Sequence, residues 1–448
     1  MLAVWLLMIL LLLPFNFRLL ANFKKINQLE GFKEHLAISL YPFDLILIFL
    51  IILAVFSYFF NKENSLFKLK AKDRNQLFIW AIFLIVIMAS AIFSPFKKIA
   101  IQNSLRLLMS FLFFVFLQSL KLKKDFILKA SLIIFFSGAL QSIIALAQFF
   151  LQHSLGLGFL GESVLTPNLL GVAKIETGGE KLIRAYGTFP HPNLLGAFLL
   201  LSLSCGFFVF SKKDFFSKKF IPLFCSSFLI KGGIFLILGG LLATFSRSAW
   251  LGTCFLLAIL AWKYQKKIIK KIKRQKNFIW PILALLFLTL PFAPFFSSRI
   301  CFKNCPSDSS FKLRKIYRQA AQKTIVAQPF LGTGMGTFVE NLKKNSLLKE
   351  EASLLSPWEF QPVHNLYLLV SSEIGIVGLL VFLILIFFKE LSPIILSRKN
   401  KERKITEIFF GAAFWAFVFL GFFDHYFWTL PQGQYLFFLA LAIKNRFS

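Results

Sequence analysis

Three short segments hold the residues best suited to chemistry. Arg184-Ala-Tyr-Gly-Thr-Phe-Pro-His-Pro-Asn193 joins a guanidinium to a rigid turn and a helix start. Pro192 suits a first helical turn, and free backbone N–H groups there can face an anion. Thr244-Phe-Ser-Arg-Ser248 places Arg247 in a very short turn between two apolar runs. An interfacial arginine commonly only snorkels to headgroups. Arg247, however, lies on the side where positive charge is disfavoured, with Ser246 and Ser248 as extra donors, and a guanidinium grips a phosphate bidentately. The third segment, Pro329-Phe-Leu-Gly-Thr-Gly-Met-Gly-Thr-Phe338, is followed by Pro362-Val-His-Asn-Leu-Tyr367. Pro362 and Val363 place His364 in the first turn of a helix. The positive end of that helix favours neutral imidazole, a form that can take a proton from a hydroxyl. The plainer alternative is an interfacial histidine bonded to Asn365 or a carbonyl. His191 reads as a polar interfacial side chain. Gly332-Thr-Gly-Met-Gly336 is only superficially a phosphate loop, because no strand precedes it and the lysine is absent. Its glycines fit a tight turn over the site.

These segments must be positioned by membrane helices. The 448 residues are 57% hydrophobic, well above a soluble domain. A span needs about 20 mostly apolar residues, which gives candidates at 3–20, 43–60, 77–94, 101–120, 126–151, 191–210, 220–245, 249–263, 278–296, 365–388, 405–423 and 431–443. The expected fold is an all-α polytopic membrane protein of about 12 transmembrane helices. The first span lacks a basic leader and a small-residue cleavage site, and reads as a retained helix. Lys231-Gly232-Gly233 predicts a bent or interfacial inner half for the run 220–245. Arg106, Lys129, Lys231 and Glu373 are ionisable residues within spans, where each costs about 2.5–3.5 kcal/mol at mid-helix. Lys129 and Lys231 can snorkel. Glu373 could pair with a basic residue not readable from sequence.

The net charge of +31 first suggests nucleic acid, but its distribution excludes that partner. Lys and Arg crowd alternate loops: Lys62 to Arg74, Lys121 to Lys124, Lys212 to Lys219, Lys263 to Lys276, Lys389 to Lys404, and Lys444 with Arg446. The opposite short loops are poor in them. This asymmetry predicts cytoplasmic termini and places two longer segments, 152–190 and 297–364, outside. Within the second, 311–328 reads as a helix with Leu313, Ile316, Tyr317, Ala320 and Ile325 near one face, lying on the membrane surface or over the bundle. The organisation is thus helices one to five in 1–151, an external loop in 152–190, helices six to nine in 191–296, the external loop with its surface helix in 297–364, and helices ten to twelve in 365–448. Cys205, Cys225 and Cys254 lie in apolar runs as small buried side chains. Cys301 and Cys305 lie in the external loop, where a disulfide would persist. Their spacing alone is a weak zinc signal.

R-x-x-GTFxHPN, T-x-SR, P-x-x-G-x-G-x-G-x-F and HN-x-Y-L, in that order and on one side of the membrane, resemble the O-antigen ligase and polymerase superfamily over about residues 180–390. The resemblance implies a fold similar to helical membrane-embedded (GT-C-like) glycosyltransferases. It also implies a metal-independent transferase without cofactors in the cytoplasmic (inner) membrane, its active site facing outward. The donor would be a polyprenyl-diphosphate-linked glycan, among membrane lipids. The acceptor would be a glycan, lipid or protein. By motif match, Arg184 and Arg247 would hold the donor diphosphate, and His364 would act as the base on the acceptor hydroxyl, with inversion at the sugar C1. Arg314, Arg318 and Asn365 are the accessory candidates. Two guanidiniums can offset the charge that grows on a leaving diphosphate.

The rival is a polytopic solute transporter, such as a relative labelled a bicarbonate transporter. It would need polar groups near the midplane on paired broken helices. Only Lys231-Gly232-Gly233 and Glu373 point that way.

Overall fold

The computed structural model describes residues 2–21, 38–60, 71–119, 124–177, 179–212, 227–274, 289–292, 295, 309–391 and 401–447. Cys225, Cys301, Cys305 and most of the span at 278–296 lie outside them.

Apolar runs become helices because a backbone in lipid must satisfy its own hydrogen bonds. The N-terminal half holds α1 (Leu2–Leu12), α2 (Pro42–Phe60), α3 (Ala71–Phe93), α4 (Lys97–Ser119) and α5 (Lys124–Leu151). Next come α6 (Pro192–Ser211), α7 (Ser227–Ala243) and α8 (Arg247–Arg274). The segment between α8 and the closing helices contains α9 (Ser309–Ala327), α10 (Phe338–Lys344) and α11 (Lys349–Ser353). The chain closes with α12 (Leu366–Leu391), α13 (Lys401–Leu420), α14 (Tyr426–Thr429) and α15 (Pro431–Phe447).

Among the described residues, the helices at 97–119, 125–151, 192–211 and 366–388 are long and apolar enough to cross a membrane, and five shorter apolar helices accompany them. A helical membrane protein accounts for this pattern. The expectation of an all-α chain needs one correction. Two antiparallel ribbons occur, β1 (Leu19–Ala21) with β2 (Ile38–Leu40) and β3 (Lys174–Thr177) with β4 (Glu180–Ile183).

α6 is the central helix, with 83% of its apolar window buried against 44% for α4. It packs on α5, α7, α8 and α13. Close approach is made with small residues: a Cβ at Gly196 would stand 2.5 Å from that of Ala249 on α8. α4 and α13 lean on α15, and α3 packs on α12. Among the described residues α7 runs unbroken through Lys231-Gly232-Gly233, and residues 220–226, the start of the run expected to be bent or interfacial, lie outside them. Gly233 packs against the Phe135 ring of α5, which a Cβ would strike. Lys129 and Lys231 are exposed.

Arg106 does find a partner. Its Nη1 lies 2.5 Å from Asp44 Oδ2, and the other Asp44 oxygen accepts from Tyr435 Oη at 2.8 Å. This pair ties α2, α4 and α15 together.

The helix ends alternate. α1, α3, α5, α7 and α13 finish, and α2, α4, α6, α8, α12 and α15 begin, at one end of the bundle. Contacts between their termini define it: Thr188 to Pro14, Ser94 to Thr333, Ala185 to Ala243, Leu366 to Gly421. All three motif segments meet there.

Candidate functional site

The first motif is folded by two glutamines of α5. Gln148 Oε1 accepts from the N–H groups of Tyr186 (3.0 Å) and Gly187 (2.8 Å), and its Nε2 donates to Gly187 O and to Glu162 Oε1. Gln141 accepts from Thr188 N (2.9 Å) and donates to its hydroxyl (2.8 Å). Seven residues apart, the two amides lie on nearly one helix face. They satisfy a turn that would otherwise bury orphan backbone groups. The chain then enters α6 through His191, whose Nδ1 accepts from Asn193 N at 3.1 Å, with Pro192 at the first helical position as expected.

This turn delivers Arg184 to the second motif. Its Nε donates to Thr244 O at 2.7 Å and its Nη2 to Asn193 Oδ1 at 2.5 Å. The Thr244 turn holds Phe245 at φ +45°, an uncommon left-handed value for a bulky residue. Phe245 is anchored among Phe149, Trp250, Phe292 and Phe295. That turn ends α7 and begins α8 with Arg247, whose guanidinium lies 4.9 Å from the ring centre of Phe311 on α9.

His364 does not occupy the first turn of α12. It stands two residues before Leu366, and the capping role belongs to Asn365. Asn365 Oδ1 accepts from Leu368 N at 3.0 Å, and its Nδ2 donates to Phe422 O at 3.1 Å. Asn365 therefore anchors α12 to the end of α13. The His364 ring is stacked on Tyr317 of α9, with centroids 6.0 Å apart, and meets His425 edge-on at 5.1 Å. Tyr317 in turn donates its hydroxyl to Glu359 O.

Asp424 and His425, between α13 and α14, are the functional candidates that sequence reasoning missed. Asn193 Nδ2 donates to Asp424 Oδ2 at 2.5 Å, and His425 N donates to Oδ1 at 3.1 Å. A polar line therefore runs Arg184, Asn193, Asp424, with His364 and His425 beside its end. The available signal was an Asp-His pair in a short connection between two apolar runs, on the side already assigned to the motifs.

Electrostatics follow from burial. Burial pushes the His364 imidazole below its ordinary value, while the Asp424 charge pulls the other way. His191 and His425 are each depressed to about 3, burial again leading. Burial alone would raise Asp424; the charges of His364, His425, His191 and Arg314 more than offset this, so its carboxyl lies below the ordinary value. Burial thus favours neutral imidazoles at neutral pH, where Arg314 is the charge that continues to favour an ionised Asp424.

The expected residues divide accordingly. Arg314 acts electrostatically on His191, His364, His425 and Asp424, and Arg184 on His191. Arg247 is half-buried against Phe311, one turn of α9 before Arg314. Arg318 is exposed. The helix 309–327 matches its expected position and packs over the bundle on α12.

The glycine segment is a clasp. α12 is broken at Ile374 (φ −122°, ψ 15°) and Gly375 (φ +74°). The Glu373 carboxylate accepts from Gly336 N (2.8 Å), Phe338 N (3.2 Å) and Trp428 Nε1 (2.7 Å). Gly334 N donates to Glu373 O at 2.7 Å, and Ile376 N to Pro329 O at 2.7 Å. Gly332, Gly334 and Gly336 all have positive φ, which only glycine adopts freely. Backbone N–H groups and an indole, not a basic side chain, are therefore the partners of Glu373.

Residues 232–383 match the family model described as O-antigen ligase. No curated protein matches the chain. The matched stretch contains Arg247, the surface helix, the glycine segment and His364, which carry three of the four motifs, while the Arg184–Asn193 motif lies before it. Over residues 232–383 the chain is thus similar to the O-antigen ligase family, which supports the resemblance to the O-antigen ligase and polymerase superfamily.

Proposed function

We propose that this protein transfers a glycan from a polyprenyl-diphosphate carrier to an acceptor hydroxyl, at the outer face of the cytoplasmic membrane, with inversion and without a metal in the reaction. One observation carries the reading: a half-buried His364, stacked on Tyr317 of α9, stands beside the Arg184–Asn193–Asp424 line, under a helix bearing Arg314. In this scheme His364 takes the proton of the acceptor hydroxyl as its oxygen attacks the sugar C1. The bond from C1 to the diphosphate oxygen breaks, and the carrier diphosphate leaves with that electron pair. Arg247 and Arg314 offset the growing charge from the α9 side, and Arg184 from beneath. Such preorganised charge is worth most in a water-poor site. Asp424 faces His364 and stabilises the imidazolium once the proton arrives.

A reconstituted assay tests this. Purified protein in liposomes receives a polyprenyl-diphosphate glycan with a lipid, a protein and a glycan acceptor in turn. One acceptor should become modified, with the anomeric configuration inverted. Failure of all three, together with saturable solute uptake by the same liposomes, would replace the proposal with a transporter. The outward orientation is tested by labelling single cysteines in residues 297–364 with a membrane-impermeant reagent.

A further inference from the structure

His191, His364 and His425 lie close to one another at this end of the bundle. Two of them form a set with Asp424. One nitrogen of His364, one of His425 and one Asp424 oxygen all lie within 4.8 Å of one another. The set draws on three connections of the chain, since His364 precedes α12 while Asp424 and His425 follow α13, and Asn193 at the start of α6 holds the carboxylate from behind.

Each member has ligand capacity to spare. His364 Nδ1 is buried and makes no hydrogen bond of good geometry among the described residues, only a contact of its ring with the Pro362 backbone. His425 Nδ1 meets Thr429 Oγ1 at 2.9 Å, which orients the ring and leaves Nε2 for a ligand. A hydrogen bond on the second nitrogen is how metal-bound imidazoles are commonly held. Asp424 takes one donor on each oxygen, and each oxygen retains a further lone pair. A buried nitrogen without a good partner is costly, so an atom that fills this space would be stabilised.

We propose that His364, His425 and Asp424 bind a divalent transition-metal ion, Zn2+ in particular, and that the bound ion inhibits glycan transfer. Two imidazoles and one carboxylate suit Zn2+, Ni2+, Co2+ or Cu2+ far better than Mg2+ or Ca2+, which take oxygen ligands. With bonds of about 2.0–2.2 Å, the three donor atoms must draw together by roughly 1 Å, a movement within reach of side-chain rotation. Arg184 and Arg314 add positive charge nearby, so the site holds its ion by nitrogen donation and not as a pool of negative charge. The binding half stands on geometry alone. The inhibitory half rests on the proposed base role of His364, because the metal occupies the lone pair that would accept the acceptor proton.

The test uses the full chain in detergent, stripped with a chelator and dialysed. ZnCl2 is titrated calorimetrically, and CoCl2 is followed by its visible absorption, which reports nitrogen and oxygen ligation independently of activity. The wild-type protein should bind a single equivalent. Asp424→Asn and His425→Gln should each weaken binding by about tenfold or more, while His153→Gln, in an exposed loop, should leave it unchanged. Thermal midpoints of the stripped variants separate lost ligands from lost folding. Absence of stoichiometric binding, or binding that survives in a folded Asp424→Asn/His425→Gln double variant, overturns the site and leaves the transfer reading untouched. Saturating Zn2+ should suppress transfer by wild-type protein about tenfold or more, reversibly with chelator. Stoichiometric binding without suppression overturns the inhibitory half and argues against His364 as the base.

Discussion

Arg184 and Asp424 are held at the two ends of one amide. The Asn193 oxygen accepts from the Arg184 guanidinium at 2.5 Å, and its nitrogen donates to the Asp424 carboxylate at 2.5 Å. A residue in the first turn of α6 thus couples the loop before that helix to the connection after α13. The amide is suited to this because it offers an acceptor and a donor at once.

Asn193→Ala removes both bonds and leaves a buried carboxylate and guanidinium each one partner short. A loss of about 1–3 kcal/mol is expected, read as a lower thermal midpoint in detergent. Asn193→Asp should lower it further, because the new carboxylate faces Asp424.

Asp424→Asn should change the pH profile of transfer. Burial depresses His364, and the Asp424 charge partly restores it. Removing that charge drops the imidazole further, so the acid limb of kcat/KM should move to lower pH. A limb that stays in place or moves up would show that Asp424 does not act on the titrating base.

Gly375→Ala should be strongly destabilising. Its φ is +74°, and a Cβ would lie 2.0 Å from Phe330 O. Gly232→Ala, in the interior of α7 with nothing within 4 Å, should instead be neutral or stabilising by up to about 1 kcal/mol. Thermal midpoints of the pair, measured side by side, isolate the clasp from any general effect of adding a methyl group.

Glu373→Gln tests the same clasp from the other side. The carboxylate accepts three N–H groups, and an amide must turn its own NH2 toward one of them. The expected cost is about 1–3 kcal/mol, with faster proteolysis in residues 329–338.

Asp44→Asn should cost about 3–5 kcal/mol. Asp44 is fully buried, and Arg106 Nη1 rests on it. Arg106 Nε and Nη2 are buried with no hydrogen-bond partner among the described residues. A double variant, Asp44→Asn with Arg106→Leu, should recover much of the loss.

Helix positions near the site were legible because apolar runs and loop charges carry them. α9 appeared as an amphipathic repeat, and the motif order brought Arg184, Arg247 and His364 into view. Asp424 and His425 were hidden because their meaning lies in contacts across 231 and 61 residues, to Asn193 and His364. Glu373 was visible as an anomaly in an apolar helix, but its partners are backbone N–H groups, which leave no letter in a sequence. For the same reason Gln141 and Gln148 read as ordinary polar residues in a span, although they fold the first motif. His364 was found for a partly mistaken reason: burial and Asp424, not the first turn of a helix, set its environment.

The most direct test compares wild-type protein with His364→Gln in the reconstituted transfer assay, alongside binding of the polyprenyl-diphosphate donor. The account predicts that transfer falls by about 10²–10⁴-fold while donor binding and the thermal midpoint are retained. Transfer at the wild-type rate in His364→Gln would contradict it.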